Sequence, residues 1–374
     1  MSLAVARRAS EPPARVLIVC TDYRPPWNEG EKNIARVLDH TLPRHGVEVS
    51  VCAKRDPDST LPAHHRPSMR QITDNVRFWS EVGRTARARG AGIVHVLTSL
   101  SSAMGVKSFC IKRLSGAQIV LHVTGLARPV RGHGLLLSAD RIVLGGTYLQ
   151  AYFPGAEVLP PISPHINADL STVRTPPPRS ATGERVLYLG SMEHVRGVHT
   201  LVDAVAHLLA QRERPNLTLT IAWNGDGSPD YERTIRARVH ERGLDGRVRW
   251  VGVLPELGRL YQEHDVVVIP PVAQERMGFP LRLVEALSYG RPVVVSDVGD
   301  LPMAAEGCGI VFPRGDVPAL AAAIDRLLSE PRLHRQAAEH ALERARRYDP
   351  ARTVARLAAI YQELAGRRVV AAAG

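Results

Sequence analysis

The sequence predicts two doubly wound α/β domains facing each other across a cleft. Three observations lead there. At 374 residues the chain is too long for one ordinary core and fits two domains of roughly 150–180 residues. In each half, short continuous apolar runs alternate with amphipathic stretches, the pattern of buried parallel strands joined by helices. Between the halves, from about Pro160 to Glu184, PPISPHINADLSTVRTPPPRSATGE loses all periodicity, as an interdomain connection does. A long surface loop within one domain is the alternative reading of that stretch.

The elements follow in order. Residues 1–14 read as a disordered leader. Arg15–Thr21, RVLIVCT, is an apolar run of the buried-strand kind; after the loop DYRPPWNEGEKN comes a helical pattern, Ile34–Arg44, and then the strand Val47–Cys52. Strand, loop, helix and strand in that order begin a doubly wound sheet. Ile93–Leu97, Gln118–Val123 and Arg141–Leu144 read as further strands. The second half restarts the rhythm with strand Val186–Leu189, helix Val198–Leu209, strand Leu217–Ala222 and helix Tyr231–Arg242. Strands Val248–Val251 and Val266–Ile269, helix Leu281–Ser288 and strand Pro292–Val295 complete it. A last helix, Ala351–Leu364, follows Pro350, a residue favourable at a helix start. The expected domains are 15–165 and 185–345, with 166–184 as linker and 346–374 as a helical segment packing back on the first domain.

Composition narrows the function classes. Hydrophobic residues at 44% and charged residues at 23% are those of a globular chain rather than a disordered one. The longest apolar runs, such as Val266–Ile269, fall far short of the ~20 residues of a membrane-spanning helix. No signal-peptide pattern opens the chain, so a cytoplasmic location is expected. Cys20, Cys52, Cys110 and Cys308 have no CxxC spacing and read as free thiols in a reducing compartment. The net charge is +11, yet 44 of the 48 basic residues are arginine, a bias that genome composition produces as readily as function. Positive charge favours a nucleotide diphosphate, an anionic membrane surface or nucleic acid. Nucleic acid is set aside because no aromatic-interleaved basic motif, recognition helix or zinc spacing accompanies the charge. His64-His65 reads as a loop pair rather than a metal site.

Two stretches carry chemistry. In Leu187–Leu209 a strand ends at Gly190, a polar loop crosses, and a helix begins near Gly197. Free N–H groups and the positive end of a helix dipole make such a start an anion site. Arg196, just before that helix, can add charge-assisted bonds to a diphosphate; a surface arginine is the plain alternative in so arginine-rich a chain. In Gln274–Pro302, Gly278 lies in a loop, and the following helix is expected to point Glu285 back towards the same cleft. An ionised carboxylate only accepts hydrogen bonds and so can take both hydroxyls of a ribose. Arg282 stands three residues earlier on the same helix face. A solvated i,i+3 ion pair is the alternative, and the apolar neighbours Leu281, Leu283, Val284, Ala286 and Leu287 speak against it.

Four stretches, LYLGSMEHVRGVHTLVDAV, IAWNGDGSPDY, LDGRVRWVGVLPELGRLYQEHDVVVIPP and GFPLRLVEALSYGRPVVVSDVGDLP, occur in this order. Together they resemble the donor domain of the large retaining GT-B glycosyltransferase family (family 4, glycosyl transferases group 1), which includes sucrose- and mannosyl-transferases. The likeness is close over about Glu184–Glu330. It is looser in the first half, through RVLIVCTDYRPPWNEGEKN and ADRIVLGGTYLQAYFPGAEVLPPIS.

The resemblance implies the GT-B fold, transfer from a nucleoside-diphosphate sugar with retention, and no metal or other cofactor beyond that co-substrate. It implies that Arg196 binds the donor diphosphate and Glu285 its ribose. Gly190, Ser191, Gly225 and Val253 would border the nucleotide, with Glu275, Met277, Gly278, Phe279, Pro280, Leu281 and Arg282 around the start of the helix that carries Glu285. Gly30 would approach the donor from the first domain. Thr124, with His122 two residues away on the same side of a strand, joins Arg196 and Glu285 in the expected catalytic set. Trp27, Asn28, His95 and Arg128 are candidates on the acceptor side, although a satisfied core histidine is an equal reading of His95. The chain also departs from the family pattern: Met277 replaces the first of two spaced glutamates, Ser191 an arginine, and Thr124 a histidine. Glu275 lies near enough to Met277 to reach sugar hydroxyls in its stead, and Arg282 to supplement phosphate binding. The readings left open are a soluble small-molecule or saccharide acceptor, a lipid-linked acceptor met at a membrane face, and a non-catalytic nucleotide-binding homologue.

Overall fold

The computed structural model describes residues 13–20, 23, 30–53, 69–100, 104–126, 138–160, 162–167, 169–170, 172–173, 184–211, 213–273 and 280–373. Two six-stranded sheets, parallel in every strand pair, organise the chain. The first comprises β1 (Ala14–Cys20), β2 (Val47–Ala53), β3 (Ile93–Leu100), β4 (Gln118–Leu126), β5 (Arg141–Leu144) and β6 (Glu157–Val158), in the order β2-β1-β3-β4-β5-β6. Helices α1 (Gly30–Thr41), α2 (Met69–Ala88) and α3 (Met104–Ser115) connect them. β1 reads as one apolar run because both of its faces are covered. Val16 and Ile18 pack in the layer shared with α1, and Leu17 and Val19 in the layer shared with α2. The strand begins at Ala14, 8% exposed, so the end of the expected leader belongs to the sheet.

The second sheet runs β12-β11-β10-β7-β8-β9, from β7 (Glu184–Met192), β8 (Leu217–Gly227), β9 (Val248–Val251), β10 (Val266–Ile269), β11 (Val293–Ser296) and β12 (Gly309–Phe312). Its helices are α4 (Val198–Gln211), α5 (Pro229–Glu241), α6 (Gly258–Gln262), α7 (Leu281–Ser288), α8 (Leu301–Ala305), α9 (Val317–Ser329) and α10 (Pro331–Ala345). Helix starts follow capping chemistry. Asp316 accepts the N–H of Ala319 at 2.9 Å ahead of α9, and Pro229 occupies the first position of α5 behind the cap Ser228.

The chain crosses between the sheets twice. On the first crossing Ile166 and Leu170 are buried among residues of α7. The N–H of Asn167 donates to Ser288 Oγ at 3.0 Å and its Nδ2 to the Ser288 carbonyl at 3.2 Å. The described part of this crossing is therefore packed against the second sheet's helices rather than free. On the return, α11 (Pro350–Ala373) lays Val354, Leu357, Tyr361 and Leu364 into the core beside β1 and β3. Arg356 bonds both oxygens of Glu157 at 2.6 and 2.9 Å, and Arg141 reaches Glu363 at 2.7 Å.

Candidate functional site

In open parallel sheets ligands bind beyond the carboxyl ends of the strands where strand order reverses. Those points lie between β1 and β3 in the first sheet and between β7 and β10 in the second. The turn between β7 and α4 is built for the second of them. Gly197 has φ +71°, and a Cβ there would stand 1.8 Å from the Pro270 carbonyl oxygen, so only glycine fits. The N–H of Val272 donates to the Val195 carbonyl at 2.9 Å, fastening the same turn to the chain leaving β10.

Arg196 is thereby held at the crevice with its side chain 31% exposed. Its Nε donates to Ser191 Oγ at 3.2 Å, Ser191 Oγ donates to Glu193 Oε2 at 3.1 Å, and that carboxylate lies 3.7 Å from the guanidinium. Ser191 is 6% exposed. Beside this turn Gly227, at the end of β8, has φ +118° and leaves 2.3 Å between a notional Cβ and the Met192 carbonyl. Gly225 (φ +89°) is exposed and Val253 is 43% exposed, so both edge the same end of the sheet. His199, in the first turn of α4, stacks on His194 at 4.4 Å and its Nδ1 meets Tyr231 OH at 2.7 Å. Burial first, then His194 and Arg238, push the His199 imidazole down to about 4, so it is neutral at physiological pH. A partly open guanidinium at the start of a 14-residue helix can receive an anion.

Glu285 requires a correction. The sequence predicts a carboxylate facing the cleft, but Glu285 is 0% exposed. Its Oε1 accepts from Ser163 Oγ at 2.5 Å, and its Oε2 from Tyr261 OH and from Arg282 at 2.7 Å each. Burial alone would raise this carboxyl; Arg282, His165 and the Ser163 bond outweigh it and hold the group below the ordinary carboxylate range. The same burial, with Glu285 beside it, drives the Tyr261 phenol upward. The apolar neighbours that argued against a solvated pair, Leu283, Val284, Ala286 and Leu287, are themselves fully buried. Arg282, 18% exposed, is committed first to Glu285. Pro280 and Leu281 form the start of α7; Glu275, Met277, Gly278 and Phe279 lie outside the described residues.

In the first sheet the structure separates the candidates. Gly30 opens α1, and a Cβ on it would stand 3.3 Å from Leu281 Cδ1, so this corner meets the start of α7 across the domains. Thr124, half-buried at the end of β4, donates towards Glu31 Oε1 at 3.1 Å and lies 3.3 Å from the Thr98 carbonyl. His122 is corrected from a site residue to the core, and His95 takes the core reading that the sequence left equally open. His122 is 2% and His95 0% exposed, with rings stacked at 5.4 Å, and His95 Nδ1 hydrogen-bonds Tyr361 OH of α11. Burial lowers His122 to about 4; burial and then His122 lower His95 well below its usual value. Trp27, Asn28, Arg128 and the pair His64-His65 lie outside the described residues. Among the described residues no group of three or more His, Cys, Asp or Glu is placed to hold a metal, the cysteines are free, and no helix is long and apolar enough to cross a membrane.

Sequence reasoning missed Ser163 and Tyr261, which lie 122 and 24 residues from Glu285. It also missed Glu31, although an acidic residue in a first helical turn beside Gly30 was a visible signal.

Comparison with known proteins bears on the second half of the chain. Residues 183–330 match the family model described as glycosyl transferases group 1. This segment is a group 1 glycosyltransferase domain. A D-inositol 3-phosphate glycosyltransferase of Corynebacterium efficiens is 32% identical over 182 residues, 48% of this chain and 42% of that protein. An alpha-D-kanosaminyltransferase of Streptomyces kanamyceticus is 32% identical over 184 residues, 48% and 45% respectively. The matched stretch thus spans less than half the length of these curated relatives. Among solved structures, sucrose-phosphate synthase of Thermosynechococcus elongatus superposes with TM-score 0.71 at 20% identity, over 94% of this chain and 99% of that one. Anabaena HepE in complex with UDP and glucose gives TM-score 0.69 at 17% identity, over 94% and 100%. The two-sheet architecture is the GT-B fold.

Proposed function

We propose that this protein transfers a sugar from a nucleoside-diphosphate sugar to a hydroxyl of a small polyhydroxylated acceptor, with retention at the anomeric carbon. The observation that carries the reading is Arg196, held by the Gly197 turn at the switch point of a group 1 glycosyltransferase domain. UDP is the nucleotide to test first, because the structurally similar HepE was solved with UDP and glucose. The activities named for the inositol phosphate and kanosaminyl relatives support a small acceptor.

In this reading Arg196 and the positive end of the α4 dipole stabilise the charge that grows on the departing diphosphate. Preorganised positive groups at a leaving group are often the largest catalytic contribution. Ser191 positions the guanidinium by accepting from Nε. Glu285 acts through Arg282: the buried carboxylate fixes that guanidinium at the start of α7. Glu31 and Thr124 line the opposite side, where their oxygens can order acceptor hydroxyls.

The test is calorimetric titration with UDP and UDP-glucose, followed by Arg196→Ala. Loss of a charge-assisted bond of about 1.5–3 kcal/mol lowers UDP affinity roughly ten- to a hundredfold. Unchanged affinity in the variant would remove Arg196 from the site, and absence of any nucleotide binding would sink the reading.

A further inference from the structure

Asp300 lies in the loop after β11, one residue before α8, and is 6% exposed. Its hydrogen-bond donors come from the other sheet's domain, 152 and 153 residues away in sequence. The backbone N–H of Thr147 reaches Oδ2 at 2.7 Å, and that of Tyr148 reaches Oδ1 at 3.1 Å. Thr147 Oγ1 donates to Oδ1 at 2.7 Å. These donors open the 3-10 turn Thr147–Ala151 that follows β5. Backbone N–H groups at such a start have no partner within the turn, and a carboxylate is the group they hold best. Gly146 permits the approach: a Cβ there would lie 2.8 Å from Asp300 Oδ2 and 2.7 Å from the Tyr148 ring.

We infer that Asp300 is a positioning residue, an interdomain clasp that sets the spacing of the two sheets across the cleft. Both loops it joins leave the carboxyl ends of parallel strands, the ligand side of each sheet. The two chain crossings connect the domains covalently, and the clasp adds a hydrogen-bonded tie on the cleft side. Within the donor domain Asp300 makes no side-chain cap to α8, so its carboxylate serves the contact between domains rather than the helix it precedes. The importance for catalysis rests on the transfer reading above: with donor and acceptor held on opposite domains, a misplacement of about 1 Å can cost about a hundredfold in rate.

Small-angle scattering on the full chain tests this without any ligand. Asp300→Ala removes all three bonds, and loss of about 2 kcal/mol moves the balance between apposed and separated domains about thirtyfold towards separation. The expected result is a larger radius of gyration with unchanged circular dichroism. Asp300→Asn keeps an acceptor oxygen and should give a smaller expansion. If Asp300→Ala misfolds, Thr147→Val, which deletes only the hydroxyl, and Gly146→Ala, which pushes the turn off the carboxylate, should expand the folded protein instead. UDP affinity, a property of one domain, should stay within about twofold while turnover of UDP-glucose falls at least tenfold. Scattering curves that superpose on the parent for all folded variants overturn the clasp. So does turnover that falls only in proportion to UDP affinity. Failure of UDP to bind the parent would defeat the transferase reading, while scattering would still judge the clasp.

Discussion

Glu285→Ala separates a ribose ligand from a buried structural carboxylate, because the two roles predict opposite results in the absence of ligand. A carboxylate waiting in an open cleft contributes little to folding, and its loss leaves ligand-free stability near that of the parent. Here its removal takes the ion-pair partner from the Arg282 guanidinium, 18% exposed, and the acceptor from the hydroxyls of Ser163 and Tyr261, residues that are 2% and 0% exposed. Removing one partner of a buried ion pair costs about 3–5 kcal/mol. At ~2–4 °C per kcal/mol for a domain of this size, the second domain's Tm should fall by about 10 °C. Glu285→Gln keeps the volume but replaces an acceptor oxygen with an amide donor facing Arg282 and Tyr261, so it should fall nearly as far. Scanning calorimetry of the ligand-free protein is the assay. A Tm within about 2 °C of the parent, the range of an ordinary surface substitution, would refute the buried assignment.

The protonation sign agrees with this role. Glu285 titrates below the ordinary carboxylate range, so its stabilisation is complete above the unfolded pKa and is lost as pH falls through the lower folded one. It therefore leaves the interval above about 4.5 to the histidines.

Other outcomes follow from the same geometry. His122 falls from 6.5 to about 4 in the fold, so the unfolded chain binds the extra proton between those values. Stability should be full above pH 6.5 and decline towards pH 4, by about 3 kcal/mol from this residue at 1.36 kcal/mol per unit. Urea unfolding at pH 7.5 and 5 should show the decline, reduced in His122→Phe; an equal decline in the variant would contradict it. Tyr361→Phe deprives His95 Nδ1 of its partner and should cost about 1–3 kcal/mol, read as a lower urea midpoint; no change would mean the bond is not formed in solution. Gly197→Ala forces a Cβ to 1.8 Å from Pro270 O at φ +71° and should cost more than about 2 kcal/mol, visible as loss of soluble protein or of Tm.

The sheets were legible because a strand buried on both faces must be apolar along its whole length. RVLIVC and VVVI announce themselves, and in the structure they fall in β1 and β10. Helices α2, α3, α6, α8, α9 and α10 are absent from that reading; α2 and α10 expose most of their charged residues and so carry a weak apolar signal. The turn that carries Arg196 was legible because a glycine between an apolar strand and a helical pattern marks such a turn, and Arg196 lies in it just before Gly197. Glu285 was legible as a residue but not as an environment. The periodicity of α7 says which face is apolar; it does not say that Tyr261, from the end of α6, and Ser163, from the chain crossing, close over the carboxylate. His95 and His122 mislead for the same reason, since a strand pattern gives the side of the sheet and not the α11 helix that covers it.

What the sequence hides is long-range, and the long-range contacts concentrate where the two domains meet. Ser163 touches Glu285, Gly30 approaches Leu281, and Thr147 and Tyr148 grip Asp300. These contacts gather around α7 and the loop after β11, next to the crevice where Arg196 stands. A nucleotide held there would sit beside the elements that set the domain spacing. Arg196 meanwhile has Glu193 3.7 Å away, so a diphosphate bound as proposed would compete with a carboxylate for the guanidinium. Glu193→Gln should remove that competition and tighten UDP binding, by up to about 1 kcal/mol for a partly exposed pair, or about fivefold in Kd. A weaker Kd in Glu193→Gln would instead show that the carboxylate orients Arg196 through Ser191 more than it opposes the ligand.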